Sequence, residues 1–113
     1  MDGIYFEDLC DKSFKSPVKG YILCRWSNVF GPKVEKVWRS STSFVFSSEL
    51  LQSVASLTLA GEVCRNPDDL IDIKYFPIEE QDVSVLSHVF VAMTSLGRSV
   101  HSLSFVLPFG MRM

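Results

Sequence analysis

The stretch Val18–Arg39, VKGYILCRWSNVFGPKVEKVWR, decides how this chain folds. Its first half is dense in β-branched, aromatic and aliphatic residues. Val18, Ile22, Cys24 and Trp26 fall on one side, and Tyr21 and Leu23 on the other. Ser27-Asn28-Val29-Phe30-Gly31-Pro32 supplies the turn chemistry. In Lys33–Arg39, Val34, Lys36 and Trp38 then alternate against Lys33, Glu35, Val37 and Arg39. Two strands joined by a Gly-Pro turn are predicted, with apolar residues on both faces of the first.

Working outward, Ser16-Pro17 breaks the chain before the hairpin, because the residue preceding proline is pushed out of the helical region. Ile4 to Phe14 mixes Ile4, Tyr5, Leu9 and Phe14 with acidic residues, a pattern compatible with a short amphipathic helix. Beyond the hairpin, Ser47 or Ser48 before Glu49 offers an N-cap. Leu50, Leu51, Val54 and Leu57 then recur at helical spacing, which predicts a helix over 47–60 stopped by Gly61. Asn66-Pro67-Asp68-Asp69 is a turn cluster. Three strand-like runs follow: Leu70–Ile78, Val83–Met93 and Val100–Leu107. The middle run is apolar on both faces and is expected to be central. Glu79 to Asp82 and Thr94 to Ser99 are expected as the connecting turns.

The expected fold class is therefore α+β, in the order β-β-α-β-β-β: a five-stranded, mainly antiparallel sheet with one helix on a face. Residues 1–17 are an N-terminal extension, and 18–113 form one domain ending after its fifth strand. A sheet apolar on both faces needs cover on both.

A chain of 113 residues holds one core, and 47% hydrophobic with 21% charged residues is a folding composition. The net charge of −2 comes with scattered lysines and arginines, which argues against a nucleic-acid surface. Cys10, Cys24 and Cys64 form no CxxC pair and cannot all pair internally, so a reducing, cytoplasmic compartment is expected. No apolar run is long enough to span a bilayer, so membrane contact is expected to be peripheral or through partners, without direct insertion.

Signals for chemistry are weak. His88 and His101 sit inside strand patterns, with no GxSxG elbow and no glycine-rich phosphate loop. The cysteines and histidines lack metal-site spacing, and the carboxylates of Asp68, Asp69, Asp72, Glu79, Glu80 and Asp82 lack the order of a calcium loop. No catalytic residue, metal or cofactor is expected. What stands out is Trp26, Asn28, Phe30, Gly31 and Pro32 with Trp38: either a partner-facing hairpin whose aromatics anchor an interface, or a turn flanked by core tryptophans.

Three blocks carry a resemblance: Trp26 to Val34 running on to Trp38, Thr58-Leu59-Ala60-Gly61-Glu62-Val63-Cys64-Arg65-Asn66, and Ile71-Asp72-Ile73-Lys74-Tyr75-Phe76. In this order the chain resembles the upstream longin domains of DENN-module proteins, and among them the chromosome-nine open-reading-frame-seventy-two (ALS/FTD-linked) family. The likeness covers about residues 18–108. It implies a longin-like (profilin-like) fold whose two C-terminal helices are missing here, as in a segment of a longer protein or a short natural form. It also implies an interaction module of a regulator of Rab and Arf small GTPases in autophagy and endolysosomal trafficking, recruited from the cytoplasm to those membranes. The partners implied are a second longin-DENN protein and a WD-repeat protein, with longin–longin pairing, and a homodimer is expected in isolation. In that assembly the GTPase-activating arginine comes from the partner, so no catalytic residue transfers to this chain, Arg65 included. The alternative is intrinsic exchange or GTPase-activating activity, for which Arg25, Arg39, Arg65 and Arg98 are candidates by residue type alone. A profilin-like or roadblock-like fold with another trafficking or cytoskeletal role is the third possibility.

Overall fold

In the computed structural model the described residues are 5–8, 18–40, 44–59, 72–95 and 97–110. The elements are β1 (Tyr5–Asp8), β2 (Gly20–Ser27), β3 (Gly31–Arg39), α1 (Ser48–Leu59), β4 (Asp72–Ile78), β5 (Val83–Thr94) and β6 (Gly97–Pro108). They build one sheet in the order β1-β3-β2-β6-β5-β4. All pairs are antiparallel except β1 with β3, which is parallel. The five antiparallel strands and the single helix on one face are the longin-like α+β arrangement expected. The sixth strand corrects the opening segment: Tyr5–Asp8, which the mixed pattern allowed as helix, is a strand paired to Lys36–Arg39. A four-residue strand carries too short a pattern to be separated from a helical turn, and its edge pairing is non-local.

The β2–β3 hairpin forms with one correction. Between Leu23 and Cys24 the register slips, so that Leu23 faces Lys36 while Cys24 faces Val34, leaving Glu35 as the extra residue of a bulge. Strict alternation had put Val34 and Val37 on opposite sides. The bulge turns both inward, and both are buried. The turn is set by Gly31, at φ 78°, a value that favours glycine. Ser27 Oγ accepts hydrogen bonds from the Val29 and Phe30 amides at 3.3 and 3.1 Å.

Ser47 is the helix cap: its Oγ accepts from the Leu50 amide at 3.1 Å and donates to Gln81 Oε1 at 3.2 Å. Leu50, Leu51, Val54, Ala55, Thr58 and Leu59 form the buried stripe. The stop expected at Gly61 lies outside the described residues. Lys74 Nζ donates to the Thr58 carbonyl at 3.2 Å, placing a cation at the helix C-terminus.

The helix packs on the face made by Ile22 and Cys24 of β2, Val34 and Val37 of β3, Val85 and Val89 of β5, and Val106 of β6. Gly20 lies in the same layer, where a Cβ would collide with the Trp38 carbonyl oxygen and the Phe46 ring. β5 is interior, flanked by β6 and β4, but the middle of the sheet is β2–β6. The turn before β6 is tighter than expected, since Gly97–Ser99 already pairs with Ala92–Thr94.

Candidate interaction surface

The helix side of the sheet holds a polar seam. Thr58 Oγ1 donates to the Val54 carbonyl at 2.8 Å and lies 2.8 Å from Ser102 Oγ, so the Ser102 hydroxyl is the donor between them. Ser87 and Ser104 pair at 2.6 Å. All four residues are buried, and each hydroxyl has its partner, as burial requires. Beside them Cys24 is fully buried, and burial pushes its thiol up to about 12, opposed by its hydrogen bond with Ser102. A thiol so protonated and enclosed is a small apolar core residue, not a nucleophile.

The opposite face has a different character. Pairing lines up Trp38, Tyr21, Phe105, Leu86 and Tyr75 across five strands. The adjacent row is Lys36, Leu23, Leu103, His88 and Ile73. No helix among the described residues packs here, and Ile73 is 70% exposed. Tyr21 and Phe105 meet edge-to-face at 5.2 Å, and Lys36 Nζ lies 4.8 Å from the Trp38 ring centre. Two shallow depressions share Leu103 and Phe105, one continuing to Tyr21 and Trp38, the other to Ile73, Leu86 and His88.

The residues singled out in the hairpin do not form one surface. Trp26 is partly buried against the helix-side core. Trp38 lies on the open face, beside Tyr21. Asn28 and Phe30 are exposed at the turn, where Gly31 and Pro32 begin β3. Tyr21, Leu23, Leu86, Leu103 and Phe105 went unnoticed as surface residues. Their alternation was visible, but which face the helix would cover was not.

Among the arginines, Arg25 Nε is ion-paired to Glu35 at 2.6 Å, and Arg98 is exposed. Arg65 lies outside the described residues. Among the described residues no group of three or more His, Cys, Asp or Glu side chains is placed to hold a metal ion. His88 and His101 flank Phe90 on the open face, with ring centres 5.5 and 5.6 Å from it, and the Nδ1–H of His101 donates to the Ser99 carbonyl. No helix among the described residues is long and apolar enough to cross a membrane.

No family model matches the chain. Among curated proteins it is 35% identical over 98 residues to the human protein named guanine nucleotide exchange factor C9orf72. It is 34% identical over 98 residues to each of the homologues from rat and mouse that carry the same name. These matches cover 85% of this chain and 20% of each relative, so the chain spans about one fifth of the length of the curated relatives it matches. Identity at this level over 85% of the chain makes it a homologue of one segment of the C9orf72 proteins.

Proposed function

We propose that this chain is a non-catalytic interaction module of a small-GTPase regulator, and that its open sheet face docks a second longin-type domain. In isolation the occupant is a second copy of the chain. In the native setting it is the second longin-DENN protein of an assembly that also holds a WD-repeat protein. That assembly acts on Rab and Arf GTPases in autophagy and endolysosomal trafficking, recruited from the cytoplasm.

The observation that carries the proposal is the unbroken row Trp38–Tyr21–Phe105–Leu86, which α1 leaves open by packing on the other side. Contiguous apolar patches of this breadth mark contact sites on soluble domains. Aromatic residues at the centre with few charges match the composition of interface cores. A row that crosses five of the six strands also suits a two-fold axis through Leu103 and Phe105, which lays the patch on its own copy. The names of the relatives support the GTPase connection, since they are called guanine nucleotide exchange factors. The non-catalytic reading is favoured by Arg25, the central arginine of the sheet, being held by Glu35 rather than projecting as a finger would.

Analytical ultracentrifugation over a concentration series tests the docking. Dimerisation by tens of micromolar is expected, and Phe105→Ser with Trp38→Ser should shift it at least about tenfold weaker, from the loss of buried aromatic area. A chain that stays monomeric throughout refutes it. Nucleotide-release and hydrolysis assays on Rab and Arf proteins test the rest: stimulation by this chain alone would overturn the non-catalytic reading.

A further inference from the structure

A second exposed apolar feature lies at one end of the sheet, away from the Trp38 row. Val29, Phe30 and Met93 are 81, 77 and 75% exposed, among the most exposed large hydrophobics of the described residues. They belong to two hairpins, β2–β3 and β5–β6, that rise at the same end, because β2 and β6 are paired neighbours. Arg25 faces His101 in that pairing, and continuing the register brings Ser27 level with Ser99. Met93 pairs with Arg98 one step further on. The two tips therefore end at about the same height, with Phe30 and Met93 about 14 Å apart across three strand spacings.

The charge at these tips has one sign. From Trp26 to Lys33 and from Val91 to Val100 the hairpins contain Lys33 and Arg98 and no acidic residue. Both cations are exposed, and Lys33 Nζ lies 5.8 Å from the Phe30 ring centre. The β2–β3 tip is held in shape by the two amide bonds to Ser27 Oγ, so presenting Phe30 needs little reordering.

We infer that this end of the sheet is a peripheral contact for an anionic lipid surface. Val29, Phe30 and Met93 enter the boundary between headgroups and acyl chains, and Lys33 and Arg98 lie among the anionic headgroups. Three apolar side chains and two cations are far fewer than the 20–30 residues a side that a stable protein interface uses. They match a bilayer contact, whose strength adds the apolar area entering the boundary to the attraction for anionic headgroups. Such a contact is shallow and needs no spanning segment. It rests on residues other than those of the docking face, so either can fail alone.

Co-sedimentation of the chain with phosphatidylcholine vesicles, with and without phosphatidylserine and at low and high salt, tests this. Partitioning onto the phosphatidylserine vesicles that weakens with salt is expected. Val29→Ser with Phe30→Ser should weaken it at least about tenfold, from the apolar area of one aromatic ring alone. Met93→Ser should weaken it through the other hairpin. Lys33→Glu with Arg98→Glu should weaken it about twentyfold or more and remove the salt dependence. All three variants should keep the circular dichroism spectrum and self-association of the parent. The inference is overturned if the parent stays in the supernatant with phosphatidylserine vesicles, or if the Val29 and Phe30 substitutions leave binding unchanged. It is equally overturned if those substitutions alter self-association instead, which would make the tip a protein contact.

Discussion

Alkaline pH should destabilise this domain through Cys24 in a way that substitution of that residue abolishes. Cys24 is fully buried between α1 and the sheet, and burial raises its thiol from an ordinary 9.0 to about 12. A raised thiol pKa means that the folded state prefers the proton-bearing, neutral form. The stabilisation is therefore fully present below pH 9 and is lost as pH climbs from the unfolded value toward the folded one. At about 1.4 kcal/mol per unit, the full span is about 4 kcal/mol, a large part of the 5–15 kcal/mol that holds a domain together. Between about pH 8.5 and 10.5 the loss from this one group is about 2 kcal/mol. Every other ionisable group is shared with a Cys24→Ala variant, so the comparison isolates the thiol. Urea unfolding of both proteins at the two pH values measures it. The parent should lose about 2 kcal/mol more than Cys24→Ala across the interval, even though the variant starts less stable for want of a packed sulfur. Identical pH dependence in the two proteins would refute the reasoning, since the thiolate would then be tolerated inside the core.

Two further outcomes concern the same layer. Gly20→Ala should cost about 1–3 kcal/mol or prevent folding, because its methyl group meets the Trp38 backbone, which cannot move aside as a side-chain tip can; thermal melts read this directly. Thr58→Val keeps the volume but strands the Ser102 hydroxyl, and should cost about 1–3 kcal/mol. Adding Ser102→Ala should then cost less than the two single changes together, and strict additivity in a double-mutant cycle would show that the hydroxyls do not interact.

Much of the fold was legible because it depends on local pattern. The hairpin from Val18 to Arg39 declared itself by β-rich runs around a Gly-Pro turn, and α1 by a leucine stripe behind a serine cap. What failed did so where the pattern is set by a neighbour. The bulge opposite Leu23 and Cys24 rotated Val34 to the core side, and a bulge leaves no mark in alternation except its disturbance. Nothing in the local pattern marks the serines of β5 and β6 as buried, and the opposed hydroxyls of Thr58 with Ser102 and of Ser87 with Ser104 give these four groups their partners. Trp26 and Trp38 separate onto opposite faces because the bulge at Glu35 sets Trp38 opposite Tyr21 rather than Gly20, and side chains alternate along β2.

By itself the sequence determined the types of the hairpin strands, the helix and the three later strands, most of their limits and the relationship to the C9orf72 proteins, since these rest on spacing, capping, turn residues and matched blocks along the chain. The tertiary structure decided which apolar face the single helix covers and which stays open, that two distant hairpin tips end level, and that Tyr5–Asp8 closes the edge of β3. Those outcomes depend on strand order, and strand order is fixed by long-range pairing among residues whose local patterns would serve several orders equally well.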